Sequence, residues 1–146
     1  MRVKQIIIGK AADLATTLGS PSDFAADLLL VFGGIEHFTL PGLSELLRCT
    51  FPDAMVLGCS TAGEITADGV NDGTCTITAI KFDQTRLAQG STCLSGMDDS
   101  FAAGERIGKQ IAAPGLKAVL VFGPGVQING SALVNGIASI IGTGIP

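Results

Sequence analysis

The chain has no tryptophan, no tyrosine and a single histidine, and its four cysteines include no CxxC pair. Each absence removes a class of function. Without Trp or Tyr, and without Arg or Lys interleaved among its seven phenylalanines, it has no stacking platform for nucleic acid. The formal net charge of -4 points the same way, because binding a phosphate backbone by counterion release needs a basic stripe. Cys49, Cys59, Cys75 and Cys93 lie far apart and His37 stands alone, which is not the ligand spacing of a zinc site, so no metal and no other cofactor is expected. No apolar run approaches the roughly 18 residues of a membrane-spanning helix. The short run after Met1-Arg-Val-Lys reads as a first strand rather than a signal peptide. These points predict a cytoplasmic protein with reduced thiols and no nucleic-acid or membrane partner.

What is abundant is small and apolar. Of 146 residues, 47% are hydrophobic and 20 are glycine, a length that suits one domain with a real core and a composition that suits a largely buried sheet covered by helices. Strands are predicted over residues 3–8 and 28–32, the second a continuous Leu-Leu-Leu-Val-Phe run of the kind buried on both faces. A helix over 10–18 ends at Gly19, Ser20 and Pro21, and residues 22–26 add a turn of helix. Gly33 and Gly34 close the second strand, and the linker 35–40 places His37 in a loop, where it reads first as an exposed histidine. Pro41 then opens a helix through Leu43, Leu46, Leu47 and Phe51.

Residues 74–82 alternate, with Cys75, Ile77 and Ala79 on one face, and residues 86–94 read as the second arm of an antiparallel hairpin. A surface turn occupies 68–73. Asp98 or Ser100 caps a helix over 101–113, a buried strand follows at 117–122, and a last helix runs through Leu133, Val134, Ile137 and Ile140. The predicted fold class is therefore α/β, a mixed sheet with helices packed on it and one antiparallel hairpin. Leu29-Leu-Val-Phe-Gly-Gly34, a loop, a helix and Pro52 are echoed by Val119-Leu-Val-Phe-Gly123, a loop, a helix and Pro146. The echo reads as an incomplete internal duplication, although strand-Gly-helix-Pro is common punctuation in α/β chains, and it predicts a chain that continues after Pro146 with another strand and glycine-rich turn.

The stretch richest in chemistry is Asp53-Ala-Met-Val-Leu-Gly-Cys-Ser-Thr-Ala-Gly-Glu-Ile65. An apolar strand stops at Gly58, and Cys59, Ser60, Thr61, Gly63 and Glu64 follow in what reads as a tight polar turn. A second loop, Gly123-Pro-Gly125 to Asn129-Gly130-Ser131, precedes the last helix. In open α/β sheets ligands sit beyond the carboxyl ends of strands, so neighbouring parallel strands would bring both loops to one rim. There the N–H groups at Asn129, Gly130 and Ser131 would receive a ligand carboxylate and Glu64 an ammonium.

An enzyme is the rival reading. Gly58-x-Ser60 has part of the Gly-x-Ser-x-Gly pattern, but Ala62 stands where the second glycine belongs and Gly63 comes one place late. A nucleophilic Cys59 or Ser60 would have only His37 as a base. A protein-interaction domain is the third reading, and homo-oligomerisation belongs with it.

The strings Gly58-Cys-Ser-Thr-Ala-Gly-Glu-Ile65, Val119-Leu-Val-Phe-Gly123 and Asn129-Gly-Ser131 resemble the N-terminal half of FIST proteins, named for F-box and intracellular signal transduction, over roughly residues 25 to 146. The resemblance implies a non-catalytic sensory module that binds small ligands such as amino acids and passes the signal to a downstream domain or protein. It also implies a further strand and a C-terminal FIST domain. Pro124 departs from the acidic residue expected before glycine in that loop, which leaves no carboxylate there to act.

Overall fold

Four strands of the computed structural model form one mixed sheet. They are β1 (Arg2–Ile8), β2 (Leu28–Gly33), β3 (Met55–Ser60) and, after a hairpin of β4 (Glu64–Thr66) and β5 (Gly69–Asn71), β6 (Cys75–Lys81), in the order β1-β6-β2-β3. The structure describes residues 1–146 apart from 19, 40 and 68, and it divides into two compact units, 1–86 and 87–146. The helix stop read at Gly19 lies outside the described residues, as do Leu40 at the end of the predicted linker and Asp68 at the start of the predicted turn. Among the described residues no helix is long and apolar enough to cross a membrane.

The first unit is built on β6. Its alternation puts Cys75, Ile77 and Ala79 on one face, all fully buried, while β1 and β2 pair antiparallel with its two edges. Ile8, Leu29 and Val31 extend the same buried face. Helix α1 (Leu14–Thr17), entered through a single 3-10 turn, and helix α3 (Leu43–Thr50) cover it with Leu14, Leu18, Leu43, Leu47 and Phe51. Residues 10–18 are thus less helical than their spacing predicts, and residues 22–26 form no helix.

The run from β2 through α3 to β3 is a parallel crossover with Leu28 opposite Met55 and Gly33 opposite Ser60. Gly58 lies inside β3 rather than in a turn: a Cβ there would overlap the Val31 carbonyl, so the two strands approach only because the side chain is absent. At the other end of β2, Asp27 joins it to β6. Its carboxylate pairs with Lys81 and accepts the Phe82 N–H at 2.8 Å, and its own N–H donates to the Ile80 carbonyl at 2.8 Å.

Three predictions fail in instructive ways. The segment 86–94 is not a strand, because both edges of β6 are already taken by β1 and β2. The hairpin is instead β4–β5, which occupies part of the predicted surface turn. Residues 117–122 form no strand and no ladder among the described residues, and Val119 N–H donates to the Pro146 carbonyl at 2.9 Å.

The second unit pairs helix α4 (Ser100–Ile111) with helix α5 (Gly130–Ile141). A Cβ on Gly104 would overlap the Leu133 carbonyl and one on Gly136 the Phe101 carbonyl, so the helices meet backbone to backbone. Ala103, Ile111, Leu133 and Ile137 form its core, with Leu94, Val119 and Val121 packed against it. Side chains of α4 do for residues 91–95 what a neighbouring strand would have done. Gln110 accepts the Ser91 N–H and donates to the Ser91 carbonyl, and Arg106 bonds the Thr92 hydroxyl, the Cys93 carbonyl and both Asp99 oxygens.

Candidate functional site

Where β2 ends, three strands converge. Gly33 faces Ser60 of β3 on one side and Cys75 of β6 on the other, and a Cβ on Gly33 would overlap the Thr74 carbonyl. The ladder runs one step further on each side: Thr61 N–H donates to the Gly33 carbonyl and Gly34 N–H to the Thr74 carbonyl, both at 2.9 Å. The chain then turns into the short helix α2 (Ile35–Thr39). This rim is the carboxyl end of a parallel pair, the position where open sheets present ligand-binding loops.

Glu64 organises the rim from beneath. It lies in β4, is 4% exposed, and accepts the Thr61 hydroxyl on Oε1 and both the hydroxyl and the N–H of Thr74 on Oε2. Burial pushes its pKa up, but the two hydroxyl donors and the Thr74 N–H more than offset this and hold it below the ordinary 4.5. The carboxylate expected in an open polar turn is therefore a buried brace between the loop after β3, the hairpin and the entry to β6. Ser60 and Gly63 are exposed at this rim, Thr61 and Cys59 half-buried.

His37 departs furthest from expectation. It sits in α2, not in a loop, its side chain is fully buried, and neither ring nitrogen has a hydrogen-bond partner. It is thus bonded to neither Cys59 nor Ser60, the two candidate nucleophiles. Its Nδ1 lies 3.8 Å from Oε1 of Glu36, whose side chain is half exposed. Cys75 is buried beside Glu64, and burial first, then that carboxylate, pushes its thiol up to about 11.

The other candidate loop belongs to the second unit. Asn129 is the N-cap of α5: its Oδ1 accepts the Ala132 N–H at 3.0 Å and its N–H donates to the Ser100 hydroxyl at 2.9 Å. Gly130 and Ser131 form the exposed first turn, and Gly123 and Gly125 lie exposed in the preceding loop, where Gln127 takes a left-handed φ of 60°. Neither Asp98 nor Ser100 caps α4. Its N-cap is Asp99, without a side-chain capping bond, and the Ser100 hydroxyl donates to the Met97 carbonyl.

Sequence reasoning did not single out Glu36 or Thr74, and read Gly34 only as closing the second strand. Their common signal is the Gly33-Gly34 doublet, since a Cβ on Gly34 would overlap the Glu36 carboxylate folded back on it. Among the described residues no group of three or more His, Cys, Asp and Glu side chains is placed to hold a metal ion.

No curated protein and no solved structure matches the chain. A family model does: the one described as the FIST N domain matches residues 27–146, most of the sequence and both candidate loops. On that match the chain belongs to the FIST family, a family of sensory domains in signal transduction.

Proposed function

We propose that this chain is the small-ligand-binding input domain of a signal-transduction protein, a single FIST N-type domain whose ligand is an amino acid or related carboxylate. The observation that carries the reading is the rim at the carboxyl ends of β2 and β3. There Ser60, Thr61 and Gly63 stand at the surface over a buried Glu64, in a family of sensory domains. Hydroxyls and backbone N–H groups held by a rigid sheet suit recognition of a small polar molecule. Cys59 lines the strand leading to the rim.

In the second unit, Asn129, Gly130 and Ser131 begin a twelve-residue helix and, with Gly123 and Gly125, would receive an anionic group through backbone N–H donors. The output lies in a downstream domain or protein. All four cysteines are free, as a reducing cytoplasm would keep them.

The test is a thermal-shift screen against amino acids and other small carboxylates, because a ligand that binds only the folded chain raises Tm. A shift lost on Ser60→Ala or Thr61→Ala supports the sensor. No shift with any carboxylate, together with stoichiometric alkylation of Cys59, supports an enzyme instead.

A further inference from the structure

At the rim, a carboxylate without a cationic partner lies beside a buried imidazole without a hydrogen bond. Glu36 presents a half-exposed carboxylate, and among the described residues neither Glu36 nor Glu64 pairs with a lysine or arginine. Independently of this acidic pair, His37 is fully buried with both nitrogens unpartnered, and its Nδ1 faces Glu36 Oε1 across 3.8 Å. That gap is too long for a direct N–H···O bond. A buried polar nitrogen left without a partner is costly, so a site of this kind favours whatever supplies the missing hydrogen bond.

We propose that Glu36 and His37 form a subsite for a protonated primary amine. An ammonium group carries three donors and no acceptor, so one such group can donate to Glu36 Oε1 and, through a second N–H, to the lone pair of a neutral His37 Nδ1. The glycine backbone packs close on the carboxylate: a Cβ on Gly34 would overlap both Glu36 oxygens. Gly34 and Gly73 carry no side chain over the carboxylate, and a Cβ on Gly73 would stand 3.5 Å from Oε1. Gly73 is held at a φ of 66°, a conformation that resists replacement by larger residues. Glu64, filled by Thr61 and Thr74, braces the rim, and Glu36 is the carboxylate that meets the ligand.

The inference deepens the sensor reading and rests on it. The groups facing the imidazole are Glu36 on its own helix and Glu64 of β4, with the protonated Cys75 thiol of β6 beside Glu64.

His37 is the sole histidine of the chain, so its ring resonances report the site without ambiguity. The experiment titrates the protein with methylammonium and, separately, with tetramethylammonium, reading the His37 ring by long-range proton–nitrogen NMR. Methylammonium is expected to shift the ring saturably toward the tautomer with an unprotonated Nδ1. Tetramethylammonium, equal in charge but without N–H donors, is expected to do neither. Glu36→Gln, a change at a half-exposed position, should weaken methylammonium binding about tenfold or more.

Equal responses to both cations, no response to either, or an unchanged affinity in Glu36→Gln would each overturn the subsite. Free and N-acetylated amino acids separate its failure from that of the sensor. If the N-acetylated forms raise Tm as much as the free ones, the sensor stands and the subsite falls. If no amino acid raises Tm, the sensor reading falls, and the methylammonium titration still decides whether the amine subsite exists.

Discussion

Thr74 reaches Glu64 twice, through its hydroxyl and through its backbone N–H, both on Oε2, across ten positions of sequence. With Thr61 on the other oxygen, this buried carboxylate ties the loop after β3 and the β4–β5 hairpin to the start of β6. Removing Glu64 strands the Thr74 hydroxyl and N–H, and removing the Thr74 hydroxyl takes one of three donors from a buried carboxylate. Thr74→Val and Glu64→Ala are each expected to cost about 1–3 kcal/mol in urea unfolding, the range for stranding a buried hydrogen-bonding group. The double variant should cost less than the sum, since the two residues share one interaction. Additive costs would show that Glu64 and Thr74 are not coupled.

Acid should weaken the chain through depressed carboxylates. Glu64 titrates below its ordinary 4.5 in the folded state, and Asp99, bonded by Arg106 and by the Ser95 N–H, is held at about 2 against its ordinary 3.8. A folded pKa below the unfolded one means that the unfolded chain binds protons first as pH falls. The stabilisation is therefore complete above about pH 5 and is lost between there and about pH 2. Arg106→Met should return Asp99 toward 3.8 and flatten the lower part of that acid limb, as followed by carboxyl NMR titration. An Asp99 titration unmoved by the substitution would contradict the pairing.

Backbone contact between α4 and α5 makes two glycines irreplaceable. Gly104→Ala and Gly136→Ala each drive a methyl group into a carbonyl of the opposite helix, and each should cost at least about 2–3 kcal/mol, the upper range for overpacking. Gly144→Ala serves as the control, because nothing lies within 4 Å of its Cβ position. Thermal unfolding should separate the three variants clearly. An unchanged Tm in Gly104→Ala would mean that the helices stand further apart.

Thiol chemistry should follow exposure. Cys49 and Cys93 are exposed, Cys59 is half-buried, and Cys75 is buried with its thiol pushed up to about 11. With iodoacetamide at pH 8, peptide mass spectrometry should find Cys49 and Cys93 modified first and Cys75 only on unfolding. Modification of Cys59 ahead of both exposed thiols would point to an activated nucleophile and away from a purely sensory role.

Much of the first unit can be read from its residues because its strands carry their own patterns. The apolar run 28–32 is the strand it reads as, although only its Leu29 and Val31 side is buried while Leu28, Leu30 and Phe32 are half-exposed rather than covered on both faces. The alternation of Cys75, Ile77 and Ala79 with threonines and Ile80 had to turn one side to a core. The same reasoning failed at 86–94 and 117–122, where an extended, partly apolar pattern was present but no ladder formed. Alternation states which side chains fit a pleated surface. It does not state whether a neighbouring edge is free to pair. At 86–94 the edges of β6 were already occupied, and Arg106 and Gln110 of α4 took up backbone groups of that segment instead.

The candidate site divides along the same line. The sequence by itself determined the apolar strands of the first unit, the loop that carries Thr61 and Gly63, and the family. Those are local properties of spacing and side-chain type. Only tertiary structure decided that Glu64 is a buried brace, that His37 is enclosed with its nitrogens unpartnered, and that Glu36 lies over Gly34. Burial and hydrogen bonding depend on which distant segments arrive, and Thr74 reaches Glu64 because β6 pairs with β2 and its entry meets the rim where β2 ends.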